Sequence, residues 1–91
     1  MNRKELINEV SGLTGLKQHH VEDAIRYAEA RIEAALARGE SVELMGFGKW
    51  EITLGKARMG RSPSTGLPIV ISAGRKVKFR PGAGLKRAVQ P

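Results

Sequence analysis

No cysteine occurs among the 91 residues, which excludes disulfides, cysteine-ligated metals and thiol nucleophiles. No apolar stretch approaches the roughly 20 residues that span a bilayer, and the N-terminus has no apolar signal region. A soluble cytoplasmic protein is expected, with no membrane partner. A third absence is more informative. All nine carboxylates lie within residues 1–51, so the 40 residues from Ile52 to Pro91 contain none. There is also no Gly-rich phosphate loop, so nothing in the basic half supports catalysis, and no enzyme activity, cofactor or small-molecule substrate is expected.

The formal charge of +7 therefore hides an asymmetry. Residues 1–51 carry seven Lys and Arg against nine acids, a balance of −2. Residues 52–91 carry Lys56, Arg58, Arg61, Arg75, Lys76, Lys78, Arg80, Lys86 and Arg87 against none, a balance of +9. Such a half creates a strong positive potential that attracts a polyanion. An anionic membrane would call for a basic amphipathic helix, whereas most of these cations fall in strand-like, Gly- and Pro-punctuated sequence. Nucleic acid is the better match.

Length and composition indicate one domain over residues 1–91. A chain this short buries only a little over about 60% of its unfolded surface, and no disulfide or metal is at hand to help. A second copy of the chain is the expected source of stability, as a homodimer or a heterodimer with a paralogue.

A helical body is predicted over about residues 1–40. Asn2 and Glu5 have the spacing of an N-cap and its third-position partner, and Leu6, Ile7, Val10 and Leu13 follow at helical intervals, giving a first helix over about 3–13. From Gln18, an apolar stripe of Val21, Ile25, Ala28, Ile32, Ala35 and Leu36 runs until Gly39 supplies a stop. His19 and His20 are adjacent on this helix and point too far apart to chelate one ion together, and no third ligand is evident, so no metal site is expected.

After Gly39 the period changes to two. Val42 and Leu44, then Trp50, Ile52 and Leu54, read as strands around a Gly46-Phe47-Gly48 turn, with a further strand over 75–80 in which Val77 and Phe79 alternate with Lys76, Lys78 and Arg80. The sheet is thus expected over about 41–54 and 75–80, and Pro81-Gly82 precedes a short helix over about 83–89 carrying Lys86 and Arg87. Phe47, Trp50 and Phe79 suit either base stacking or core packing. Trp50 and Phe79 share a face with aliphatics, which favours a dimer core made with Ile32, Leu36 and Leu44.

The stretch 55–74 has strand-like edges but too few large apolar residues for a core layer, so it should project as a β-ribbon arm. Its centre, Gly60-Arg61-Ser62-Pro63-Ser64-Thr65-Gly66, is dense in turn formers, and Pro68 is tolerated only on an edge strand. Lys and Arg on such a ribbon commonly protect a bare edge. A long acid-free run suits phosphate neutralisation better, by Lys56, Arg58, Arg61, Arg75, Lys76, Lys78 and Arg80. Pro63 is an ordinary turn former, or the apolar tip that wedges between base pairs.

The motifs Met1-Asn2-Arg3-Lys4-Glu5-Leu6-Ile7, Gly46-Phe47-Gly48, Gly60-Arg61 with Pro63 and Thr65-Gly66, and Leu85-Lys86 resemble the HU and integration host factor family of bacterial nucleoid proteins, in order and spacing, over almost the whole chain. The resemblance implies an α+β intertwined homodimer: two N-terminal helices, a three-stranded antiparallel sheet, a short C-terminal helix and one protruding β arm per chain. It implies nucleoid association, with duplex DNA bound in the minor groove, bent and compacted. That mechanism comes from the family and not from the residues themselves. It also implies that Pro63 intercalates, that Arg58 and Arg61 are arm contacts, and that Arg3 and Lys86 contact phosphate from the body. The chain departs from the family pattern at Ser62, where Asn is usual, at Trp50, where Phe or an aliphatic is usual, at Lys17, in place of a Ser N-cap, and at Ala83, in place of a Lys. Phe79-Arg80-Pro81-Gly82 is similar to the integration host factor branch. No side-chain set reads as a major-groove reader, so weak sequence preference is expected. Strong consensus recognition is the alternative within the family, and RNA or single-strand binding is the alternative outside it.

Overall fold

The computed structural model of the chain describes residues 1–71 and 74–91. Ser72 and Ala73, part of the arm expected over 55–74, lie outside the described residues. The chain forms two compact units, Met1–Ala34 and Ala35–Pro91.

In the first unit, α1 (Arg3–Thr14) starts as expected, with the Asn2 side chain accepting the Glu5 backbone N–H at 2.9 Å. It ends at Gly15, whose φ of +75° is a conformation that favours glycine and whose N–H donates to the Ser11 carbonyl. The second helix, α2 (Gln18–Ala37), opens on Lys17, whose carbonyl accepts from His20 and Val21. Gln18 donates to Asn8 at 2.7 Å and Arg3 forks onto Glu29, so the two helices run back along each other. At 20 residues α2 is about 30 Å long. Its stripe is buried at Val21 and Leu36, half-buried at Ile25, Ile32 and Ala35, and exposed at Ala28.

The second unit contains the end of α2 and all of the strands. Three strands, β1 (Val42–Leu44), β2 (Gly48–Leu54) and β5 (Arg75–Pro81), form an antiparallel sheet in the order β1-β2-β5. A separate two-stranded ribbon pairs β3 (Arg58–Arg61) with β4 (Pro68–Ile71). This is the predicted arm. It falls outside the body sheet because residues 55–57 interrupt the run from β2 to β3. A final helix, α3, spans Ala83–Val89, the range expected from Pro81-Gly82 and the residues after it.

The hairpin turn sits one residue earlier than Gly46-Phe47-Gly48 suggests. Met45, Gly46 and Phe47 form it, with Phe47 N–H donating to the Leu44 carbonyl at 2.9 Å. Gly46, at φ +82°, occupies the position where a type II turn needs glycine. Gly48 belongs to β2 instead, and its missing side chain makes room: a Cβ there would lie 2.4 Å from the Phe79 ring.

Gly82 is needed for space rather than conformation, since its φ of −79° suits any residue. Its N–H donates to the Phe47 carbonyl at 2.8 Å, and Leu85 N–H donates to the Gly46 carbonyl at 3.1 Å, so the turn and the start of α3 clasp each other. A Cβ at Gly82 would sit 2.7 Å from the Gly46 carbonyl carbon and 2.8 Å from its oxygen, both backbone atoms. Gly82→Ala is therefore expected to destabilise the fold by about 1–3 kcal/mol, a drop of roughly 5–20 °C in Tm. Thermal unfolding checks this, and an unchanged Tm would mean that the clasp yields without cost.

Candidate nucleic-acid interface

Strand alternation sorts the body sheet into two faces. Trp50, Ile52 and Leu54 on β2 stand opposite Phe79, Val77 and Arg75 on β5, while Lys49, Glu51 and Thr53 stand opposite Arg80, Lys78 and Lys76. The second face gathers Lys49, Lys76, Lys78 and Arg80 around the carboxylate of Glu51, with Glu43 of β1 opposite Lys49 at its edge. Glu51 lies 4.0 Å from Lys49 Nζ and accepts a short hydrogen bond from Arg80 Nε, so two of the four cations are already partnered. Lys49 was missed in the sequence because it falls in the acidic half. The signal was present, since it alternates with Trp50.

On the arm, directly paired residues share a face. Arg58 lies opposite Ile71 and Gly60 opposite Ile69, whereas Met59 pairs with Val70 and Arg61 with Pro68. Arg58 and Arg61 thus project from opposite faces of the ribbon, and a polyanion that met both would have to run along its edge or wrap it. Lys56 precedes the ribbon and is exposed, as are Arg58 and Arg61.

The tip closes by local bonds. Ser62 N–H donates to the Leu67 carbonyl at 2.9 Å, Gly66 N–H donates to Ser62 at 2.7 Å, and Gly66 has a φ of +70°. Arg61 Nη1 reaches the Gly66 carbonyl at 3.1 Å, and the Ser62 and Ser64 hydroxyls lie 3.0 Å apart. Pro63 stands exposed at this turn. Its ring is held out by a turn that its neighbours already close.

Arg3 is exposed on α1, where its guanidinium forks onto the Glu29 carboxylate, Nη2 to Oε2 being 3.0 Å. Hydrogen bonding to Glu29, and then the charge of the same carboxylate, raise the Arg3 pKa further above its ordinary value. Lys86 is exposed on α3. Arg75 differs from the other basic residues of β5, for it shares the face of Val77 and Phe79 and its guanidinium reaches the carbonyls of Leu36 and Ala37 at 3.3–3.4 Å.

The aromatic residues come together rather than apart. Ring centroids lie 4.9 Å apart for Trp50 and Phe79, 6.2 Å for Phe47 and Phe79, and 6.3 Å for Phe47 and Trp50, all tilted. Within one chain the cluster is open on one side: Phe79 is 38% exposed, Phe47 50%, Leu44 46% and Val77 60%. Among the described residues, the buried apolar side chains are Ile7, Val21 and Leu36.

A family model described as bacterial DNA-binding protein matches residues 1–90. The chain belongs to that family. It is 40% identical over 90 residues to the DNA-binding protein HU of Geobacillus stearothermophilus, covering 99% of this chain and all of the relative. It is 39% identical over 90 residues to the HU of Thermotoga maritima, with the same coverage. Among solved structures, a chain of an Anabaena HU–DNA cocrystal is similar with a TM-score of 0.84 at 32% identity, covering 100% of this chain and 99% of that one. HU from Thermotoga maritima is similar with a TM-score of 0.70 at 31% identity, covering 99% and 100%. The α+β architecture is therefore the HU fold. The HU family is one of non-enzymatic architectural DNA-binding proteins.

Proposed function

We propose that the chain acts as a homodimer that binds duplex DNA through the minor groove and bends it, with two arms ending in Pro63 wedges. The observation that carries this reading is the β3–β4 ribbon: a separate two-stranded element, free of carboxylates, flanked by cations and ending on an exposed proline. Affinity comes from phosphates met by Lys56, Arg58, Arg61, Lys76, Lys78 and Lys86, and preference among sites comes mainly from how easily the duplex deforms. Arg3 and Arg80 join only when DNA phosphates replace their carboxylate partners. The open side of the Phe47, Trp50, Phe79 and Leu44 cluster faces the second copy. Nucleoid association follows from abundant non-specific duplex binding. Single-strand binding is less well supported, because the aromatic rings cluster with one another instead of forming a row of separate stacking platforms.

Pro63 separates bending from adhesion. The ring carries no charge, so Pro63→Ala should leave the salt dependence of binding nearly unchanged. Unstacking a base step costs a few kcal/mol, offset only when the bent duplex meets more protein. The variant is expected to bend intact duplex less, and to lose more affinity on intact than on nicked or gapped duplex. Energy transfer between dyes at the duplex ends, read beside both affinities and beside competition with single-stranded DNA and RNA, tests the proposal. A variant that bends intact DNA as far as the parent makes Pro63 a turn residue only.

A further inference from the structure

We infer that Arg75 is a positioning residue that clamps the root of the arm to the end of α2, and that it does not neutralise DNA phosphate. Its place in the ladder is the first observation. Arg75 pairs with Leu54 as the last rung of the body sheet on the side from which the arm departs, and beside it Gly55 N–H donates to the Gly74 carbonyl at 3.1 Å. Alternation then puts Arg75 on the face of Ile52, Val77 and Phe79, away from the face that gathers Lys49, Lys76, Lys78 and Arg80.

The second observation is what the guanidinium meets. The last four carbonyls of a helix have no partner within the helix and carry its negative end. No basic residue lies in the last turn of α2. Arg38, just beyond it, is turned to Glu40, with Nη2 to Oε2 at 3.2 Å. Arg75 supplies the missing cation from 38 residues away in sequence: Nη1 and Nη2 reach the Ala37 carbonyl, both at 3.4 Å, and Nη2 also reaches the Leu36 carbonyl at 3.3 Å. These contacts are long for hydrogen bonds, so the attraction is as much between charge and helix dipole as between donor and acceptor. The same Nη2 lies 3.7 Å from where a Cβ would stand on Gly39, whose φ of +87° closes the turn after α2. A guanidinium fork spans two adjacent carbonyls in a way that an ammonium cannot.

For function, this clamp fixes the direction in which the ribbon leaves the body, which a bending protein needs before its tip can act. That consequence rests on the DNA-bending function proposed above, whereas the clamp itself does not. The experiment therefore has one arm without DNA and one with it, on the full chain, for Arg75→Gln and Arg75→Lys. Without DNA, amide exchange at Gly39, Glu40 and Gly55 should rise roughly threefold to tenfold in Arg75→Gln and rise less in Arg75→Lys. Phe47 and Gly82, hydrogen-bonded at the opposite end of the sheet, should keep the parent rate. With DNA, both variants should bend intact duplex less, while the log-log salt slope stays within about half a unit of the parent. A slope that falls by about two units in Arg75→Gln, since a dimer carries the residue twice, with exchange at those three amides unchanged, would make Arg75 a phosphate contact and overturn the clamp. Should the parent fail to bind duplex at all, the proposed function falls, and the exchange comparison still decides the clamp.

Discussion

Phe79→Ala should weaken the folded dimer by about 3–5 kcal/mol for each copy of the change, or about two to four orders of magnitude in the folding equilibrium. The ring packs against Trp50 at 4.9 Å and Phe47 at 6.2 Å, and it covers Gly48 so closely that a methyl group there would collide with it. Losing it leaves a void between strands β2 and β5 at Trp50 and Gly48, and it also removes two tilted aromatic pairs. Small domains hold only about 5–15 kcal/mol of net stability, so the loss consumes much of the total. Sedimentation and concentration-dependent melting measure it. The parent should sediment as a dimer with a Tm that rises with concentration, whereas Phe79→Ala should dissociate or unfold at micromolar concentration. A parent that is a folded, monodisperse monomer would defeat the homodimer, and a variant with the parent's Tm would show that the aromatic cluster is not part of the core.

Much of this molecule was legible in the sequence because its signals are local. The Asn2 cap, the glycine stop at Gly39, the alternation from Lys76 to Arg80 and the Pro81-Gly82 start of α3 each act within a few residues, and each stands where spacing put it. What escaped depends on register and on partners distant in the chain. Gly48 reads as a turn residue from its neighbours, but its role is set by the Phe79 ring across the sheet. The acid-free boundary after Glu51 grouped Arg75 with the phosphate binders and left Lys49 out, whereas the pairing of β2 with β5 gives Lys49 a place on the cationic face and Arg75 a place on the other. Arg3 and Arg80 read as free cations, yet carboxylates 26 and 29 residues away hold them. Charge counting finds the polarity of a chain and cannot tell which charges are spent.

That distinction sets the size of the last expected result, the salt dependence of DNA binding. Each phosphate neutralised releases condensed counterions, so the slope of log affinity against log salt is about −0.9 for each contact. A dimer doubles every contact made by Lys56, Arg58, Arg61, Lys76, Lys78 and Lys86, though one duplex cannot reach them all at once. Arg3 and Arg80 add to the slope only by giving up Glu29 and Glu51, exchanging one ion pair for another. Six to ten phosphates then give a slope of about −5 to −9, and raising salt from about 50 to 200 mM should weaken binding by roughly 10³- to 10⁵-fold. Fluorescence anisotropy with a labelled duplex across a salt series measures this. Arg58→Ala, which removes an exposed arm cation from both copies, should reduce the magnitude by about one or two units. Pro63→Ala should not change it, and the contrast between the two variants is the stronger test, because it separates the charge that holds DNA from the apolar ring that bends it. A nearly flat salt dependence in the parent would reject phosphate neutralisation as the source of affinity, whatever the arms do to the shape of the duplex.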